Sequence, residues 1–123
     1  MDTQLCAIAS AAIVAAMQGT LSDLGRLAEP AVHVLITLGD GPKHGYAIMA
    51  DVEASSGEPL GAGTLYAVLA RLERRGLIEA LPPEERRRPY RLTAAGATAL
   101  AARLAGLEQL VRVGQARLAS YEP

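Results

Sequence analysis

A single cysteine, Cys6, stands in the 123-residue chain, so no intrachain disulfide can form. A chain of this length can hold one domain together by its apolar core without such staples. The scarcity accords with a reducing compartment, and a cytoplasmic location is the expectation. One cysteine and two histidines, His33 and His44, exclude a paired-cysteine metal centre within the chain. Cys6 has no basic neighbour to activate its thiol and reads as buried and inert, and His33 as an ordinary helix residue. Tryptophan and phenylalanine are absent, and the aromatics are Tyr46, Tyr66, Tyr90 and Tyr121 alone. The core must come from Leu, Val, Ile and Ala, a composition that favours helices. Long hydrophobic runs are also lacking. The longest, Leu5–Met17, is broken by Ser10 and preceded only by Asp2 as a charge. It lacks the basic start of a signal peptide and falls short of the roughly 20 residues that cross a bilayer, so no membrane association is expected. Gly39–Gly41 and Gly61–Gly63 are too short for a phosphate-binding loop, and the serines lie in unrelated contexts. No catalytic residues, cofactor or metal ligands are therefore assigned.

What the sequence does contain is a series of helical segments. The first, Leu5–Met17, is apolar on nearly every face and should pack on another helix. Residues 20–28 form a connector with the cap-type residues Ser22 and Asp23. A second helix begins at Glu29-Pro30, buries Ala31, Val34, Leu35 and Leu38, and stops at the turn Gly39-Asp40-Gly41-Pro42. A third runs from Gly45 to Ala54 with Ile48 and Val52 inward. A fourth starts at Gly63-Thr64 and ends at Gly76, a residue suited to the position after a helix. Its core face is Leu65, Leu69 and Leu72; the opposite face carries Thr64, Ala67, Val68, Arg71 and Arg75. Two short strands follow, Leu77–Leu81 and Tyr90–Leu92, joined by the exposed proline-flanked tip Pro82–Pro89. Thr93 caps a final helix reaching about Ser120. In it Ala97, Leu100, Leu104, Leu107, Val111, Gly114 and Leu118 alternate by 3 and 4 residues, the spacing of a seam between two helices. A domain this small cannot cover such a helix, so Leu100, Leu104, Leu107, Val111 and Leu118 are expected at a homodimer interface.

The net charge of −1 hides an uneven distribution. Seven of the twelve Lys and Arg residues lie between Arg71 and Arg91 against four acids, a local surplus of +3. Three helices followed by a two-stranded wing make the winged variant of the helix-turn-helix. In that arrangement one helix enters the major groove, the helix before it meets the backbone, and a basic wing reaches a neighbouring phosphate stretch. The fold class is thus mostly α, a winged helix-turn-helix with a short β-hairpin wing, an extra N-terminal helix and a long C-terminal dimerisation helix. The division is 1–28 for the N-terminal helix and connector, 29–92 for the winged helix and 93–123 for the dimerisation helix.

His44-Gly45-Tyr46 after a Gly-Pro turn, Gly63-Thr64-Leu65-Tyr66, Arg71-Leu72-Glu73 with Gly76-Leu77-Ile78, and Tyr90-Arg91-Leu92-Thr93 with Gly96 follow one another in order. Together they resemble the PadR family over about Pro30 to Gly96. The resemblance implies a dimeric transcriptional repressor that binds double-stranded DNA at a palindromic operator and is often released by a small-molecule effector or by stress. Some relatives sandwich planar drugs between tryptophans; without Trp that mechanism does not carry over. Gly61-Ala62 replaces the polar pair common before Gly-Thr-Leu-Tyr, removing a candidate phosphate ligand and cap. The N-terminal segment is longer than the family leads one to expect, and its Ala-rich face is assigned to the dimer interface.

Each candidate DNA contact has a plainer reading beside it. Thr64 is a helix cap or a phosphate contact. Tyr66 packs on the core, or its hydroxyl reaches DNA. Arg86, Arg87 and Arg88 are a solvated tip or the wing's phosphate contacts. His44 and Tyr46 start a helix or meet the backbone. Lys43 is expected on phosphate, Arg71 on a base, and Arg75 on the same basic face. The alternative to a DNA-binding regulator is a winged-helix module that binds another protein. The arginines speak against it, whereas Glu84 and Glu85 weaken the wing's charge.

Overall fold

The structure, a computed structural model, describes residue 21 and residues 24–123. The expected first helix Leu5–Met17, Cys6 and the dimer contact assigned to that segment lie outside the described residues.

A 3-10 turn, Gly25–Leu27, leads into helix α1 (Ala28–Thr37). Pro30 is the third helical residue rather than the first; amides of the first turn have no partner within the helix, so a residue without N–H is tolerated there. Ala31, Val34, Leu35 and Leu38 are buried, as their spacing predicts. Strand β1 (Lys43–His44) and helix α2 (Gly45–Ser56) follow. Ser56 Oγ donates to the Val52 carbonyl at 2.7 Å, and Gly57 closes the helix with φ of 77°. These two devices carry α2 past the expected end at Ala54. Helix α3 (Ala62–Arg74) ends in a Schellman motif. Leu77 N donates to Leu72 O at 3.0 Å, Gly76 N donates to Glu73 O at 3.0 Å, and Gly76 supplies φ of 72°. Strands β2 (Ile78–Ala80) and β3 (Pro89–Leu92) form the wing, and helix α4 (Ala94–Ala119) closes the chain.

The wing is a three-stranded antiparallel sheet in the order β1-β3-β2. Lys43 pairs with Tyr90 and His44 with Pro89, while Ile78, Glu79 and Ala80 oppose Leu92, Arg91 and Tyr90. The expected hairpin thus gains a strand, because a two-residue bridge carries no periodicity that a sequence can display. Its tip, expected to be exposed, is a tight turn. Glu84 N donates to Arg87 O at 2.7 Å and Arg87 N to Glu84 O at 2.9 Å, with Glu85 at φ of 58°.

The core joins α1, α2, α3 and the wing through Leu35, Ile48, Leu65, Leu69, Leu72 and Ile78. Val68 belongs to it as well. Expected on the outer face, it is 1% exposed, because positions 65, 68, 69 and 72 form the complete i, i+3, i+4, i+7 stripe of a packed helix.

Thr93 fixes the start of α4. Its Oγ1 accepts from Gly96 N at 3.0 Å and donates to Gly76 O at 2.6 Å, while its N–H donates to Leu77 O at 3.1 Å. Gly96 is buried against the same carbonyl: a Cβ there would lie 1.9 Å from Leu77 O and 2.8 Å from Leu92 Cδ1. Helix propensity alone would make Gly96→Ala stabilising by roughly 1 kcal/mol. The clash with a backbone oxygen reverses that sign, and we expect a net loss of about 1–3 kcal/mol. Urea unfolding of the variant measures it, and a raised midpoint would show that the helix can withdraw from Leu77 at little cost.

Candidate nucleic-acid interface

The outer surface of α3 is built for close approach. With Leu65, Val68, Leu69 and Leu72 inward, the helix presents Gly63, Ala67 and Ala70 outward, with Tyr66 on one flank and Arg71 on the other. Tyr66 and Arg71, five residues apart, lie about 140° from each other around the helix axis. Small side chains between them let another molecule reach the helix backbone. Gly61 is the N-cap and offers no side chain to the first turn, as the Gly61-Ala62 departure implies. Thr64 is half-buried one turn into the helix and is not the capping residue.

The N-terminus of α2 meets this surface from the wing side. His44 Nδ1 accepts from Ala47 N at 3.4 Å and so caps α2. Its Nε2 lies 3.3 Å from a terminal guanidinium nitrogen of Arg87. A neutral ring accepting at Nδ1 carries its proton on Nε2, and a guanidinium has donors only. The two ring contacts thus belong to different tautomers, and through them His44 links the start of α2 to the wing tip. Gly45 lies beside Tyr66 and Leu65 of α3: a Cβ there would stand in ordinary contact, 3.4 Å from the Tyr66 hydroxyl oxygen. Tyr46 and Tyr66 remain 74% and 60% exposed.

Tyr90 supports the arrangement from β3. Burial and the Glu73 carboxylate push its phenol above the ordinary value, while the Arg88 guanidinium opposes them. Arg88 shares a groove with Tyr66 and Tyr90 and so lies on the α3 side of the wing. Between wing and helices lies an open groove of about 270 Å³ lined by His44, Tyr46, Tyr66, Arg86, Arg87 and Arg88 among others. The tight turn orders all three arginines along one wall. Glu84 and Glu85 line a neighbouring hollow with His44 and Arg87. Arg71, Arg74 and Arg75 line a third concavity along the C-terminal half of α3.

Lys43 does not join this groove. Its ammonium donates to the Thr37 carbonyl and to the Asp40 carboxylate, and its side chain is only 21% exposed. Thr37 Oγ1 in turn donates to the Asp51 carboxylate. The lysine satisfies a carbonyl at the C-terminus of α1, where cations are favoured. Its hydrogen bond and charge hold the Asp40 carboxyl below its ordinary range. Lys43, expected on phosphate, makes a structural tie between α1 and β1 in the protomer. Sequence reasoning missed Arg26, which lines a cavity with Thr64 and Arg71. Its signal was an outward cation between the buried Leu24 and Leu27.

The seam on α4 faces outward beyond its first turns. Leu100 and Leu107 are half-buried, whereas Leu104, Val111 and Leu118 are exposed, the last two by 56% and 74%. Leu110 and Val113, outside the heptad seam, are exposed too. Among the described residues no helix is long and apolar enough to cross a membrane.

Residues 34–102 match the transcriptional regulator PadR-like family. An uncharacterized 37.1 kDa protein in transposon TN4556 of Streptomyces fradiae is 54% identical over 63 residues, which is 51% of this chain but only 18% of that relative. A transcriptional regulator from Clostridium thermocellum is similar in structure, with a TM-score of 0.64 and 28% identity, covering 69% of this chain and 88% of the other. A PadR family transcription regulator from Clostridium difficile R20291 gives a TM-score of 0.60 and 28% identity, covering 71% of this chain and 97% of the other. The family match spans more than half of the chain and coincides with the winged helix and the base of α4: the chain belongs to the PadR-like family of transcriptional regulators.

Proposed function

We propose that the protein is a homodimeric repressor that binds a palindromic operator in double-stranded DNA, acting in the cytoplasm. The observation that carries this reading is the groove in which the wing arginines, His44, Tyr46 and Tyr66 converge beside the small-residue face of α3. A major groove accommodates one helix, and α3 offers it Gly63, Ala67 and Ala70 with Arg71 at the edge. The wing arginines then meet phosphates, which position the protein without reading sequence. Homodimerisation is supported by the apolar residues exposed on α4, a helix of 26 residues or roughly 39 Å. Two such protomers related by a two-fold axis would present their α3 helices to half-sites about 34 Å apart. The operator expected is the DNA upstream of the protein's own gene, and gel-shift titration on that fragment tests the assignment; absence of binding at low salt would overturn it.

The helix and the wing should then fail in different ways. Arg71→Ala is expected to cost roughly 1–3 kcal/mol on the operator and to relax base preference at one position per half-site. Replacing Arg86, Arg87 and Arg88 together with Ala should weaken operator and scrambled duplex alike and flatten the salt dependence. Paired titrations on both duplexes measure the difference. Equal loss on both for Arg71→Ala, with loss on the operator alone for the wing variant, would reverse the two roles.

The dimer reading makes its own demand. Val111→Glu and Leu118→Glu change side chains that are exposed in the protomer, so the winged helix should fold unchanged. Each puts an uncompensated charge into the seam, at about 3–5 kcal/mol, or more than a hundredfold in dimer affinity. Light scattering should show a dimer for the unmodified protein and monomers for both variants. A monomeric unmodified protein at micromolar concentration contradicts the proposal.

A further inference from the structure

We propose that Arg26 holds a DNA backbone phosphate on the flank of α3 opposite the wing, so that the recognition helix is bracketed by cations on both sides. The inference rests on the DNA-binding reading above and adds a contact to it from a part of the chain outside the helix-turn-helix.

The segment before α1 is pinned to the core and leaves one cation outside. Leu21, Leu24 and Leu27 are all buried, and Leu24 N and Leu27 N donate to Leu21 O and Leu24 O at 3.1 and 3.2 Å. Gly25 turns the chain with φ of 61°, a conformation that favours glycine. The turn Gly25–Leu27 is thereby fixed with Arg26 exposed between its buried neighbours. Arg26 makes no ion pair among the described residues, although Glu29 and Glu58 line the next hollow with it.

Arg26 faces α3. A concavity of about 700 Å³ separates the turn from the helix, lined by Arg26, Pro30, Gly63, Thr64, Ala67 and Arg71 among others. Among the described residues its charged walls are the two arginines. It continues toward the arginine-lined hollow of Arg71, Arg74 and Arg75, because Arg71 borders both. The wing groove lies on the Tyr66 flank of the helix, while this concavity reaches from the Arg71 flank onto Gly63 and Ala67, so the small outward side chains have cations to either side. A helix seated in a major groove has a phosphate strand on each side of it. The wing provides for one strand, and Arg26 is placed for the other. A guanidinium suits a phosphate oxygen pair better than an ammonium does, since it donates in a planar fork.

The test is the salt dependence of binding to a mixed-sequence duplex and to the upstream fragment, using the full chain. Arg26→Gln should make the log–log salt slope shallower by about 0.9 per phosphate left without its cation, on both duplexes, without relaxing base preference. Arg26→Lys should recover most of the slope, and Arg117→Gln, on the far part of α4, should leave it unchanged. Thermal melting of the variants in the absence of DNA separates a structural role, which would move the melting temperature and not the slope. If the unmodified protein binds with a steep slope and Arg26→Gln keeps that slope, the inference is overturned while the DNA-binding reading stands. If the unmodified protein binds neither duplex, both fall together.

Discussion

The arrangement of the molecule depends on one carbonyl. Leu77 O accepts the amide of Thr93 at 3.1 Å and would lie 1.9 Å from any Cβ on residue 96. Leu77 is also the residue whose N–H closes the Schellman motif of α3, and Ile78 after it opens β2. The end of α3, the root of the wing and the first turn of α4 therefore meet within one peptide unit. Thr93 completes the junction by bridging Gly76 O and Gly96 N through a single hydroxyl. The donor and acceptor roles of that hydroxyl are both used, so neither neighbour can shift without leaving a polar group unmatched.

With that junction fixed, the cations divide into two populations. Lys43, Arg91 and Arg112 are tied to Asp40, Glu79 and Glu108. The Glu79–Arg91 pair sits directly across β2 and β3, where opposite charges favour the register. Both partners are about half exposed, so the pair sets alignment more than stability. Arg71, Arg74, Arg86 and Arg88, by contrast, make no ion pair among the described residues. All four border concavities around α3. Structural cations are engaged within the protomer, these four surround the helix that carries the small outward side chains, and Arg103 and Arg117 lie apart on α4.

This division explains how much is legible in the sequence. Elements marked by a local signal are readable: the αL glycine at Gly76, the Thr93 cap, the Pro42 turn and the leucine stripe of α3. Each requires only residues within one or two turns of each other. The differences have two sources, a partner distant in sequence and a local contact that the residue pattern does not display. β1 exists because β3 pairs with it, 47 residues away at the Lys43–Tyr90 pair (90 minus 43). Lys43 lies outside the groove because Thr37 O and Asp40 hold it, and nothing in the order of residues shows a lysine turning back on the preceding helix. Val68 is misplaced when three leucines are taken as the whole core stripe. Of the candidate DNA contacts, the residues at the α2 start and the wing do share one groove, whereas Arg71 and Arg75 border a separate hollow on the far flank of α3.

The junction also bears on the second half of α4. Only Gly96, Ala99 and Ala102 of this helix are buried, and everything from residue 108 onward is exposed. The helix is thus held at its base and projects beyond the protomer. On a lever of roughly 39 Å, each degree of tilt at the base moves the far end by about 0.7 Å. If α4 joins two protomers as proposed, the same tilt changes the separation of the two α3 helices. Duplex DNA tolerates little of that, since its half-site spacing is set by the helical turn. A loosely packed base would therefore blur the spacing even in a stable dimer. The glycine at residue 96, which permits contact with a backbone oxygen instead of a deformable side chain, removes most of that freedom. In such a dimer, close packing at Gly96 would bear on operator geometry as well as on folding.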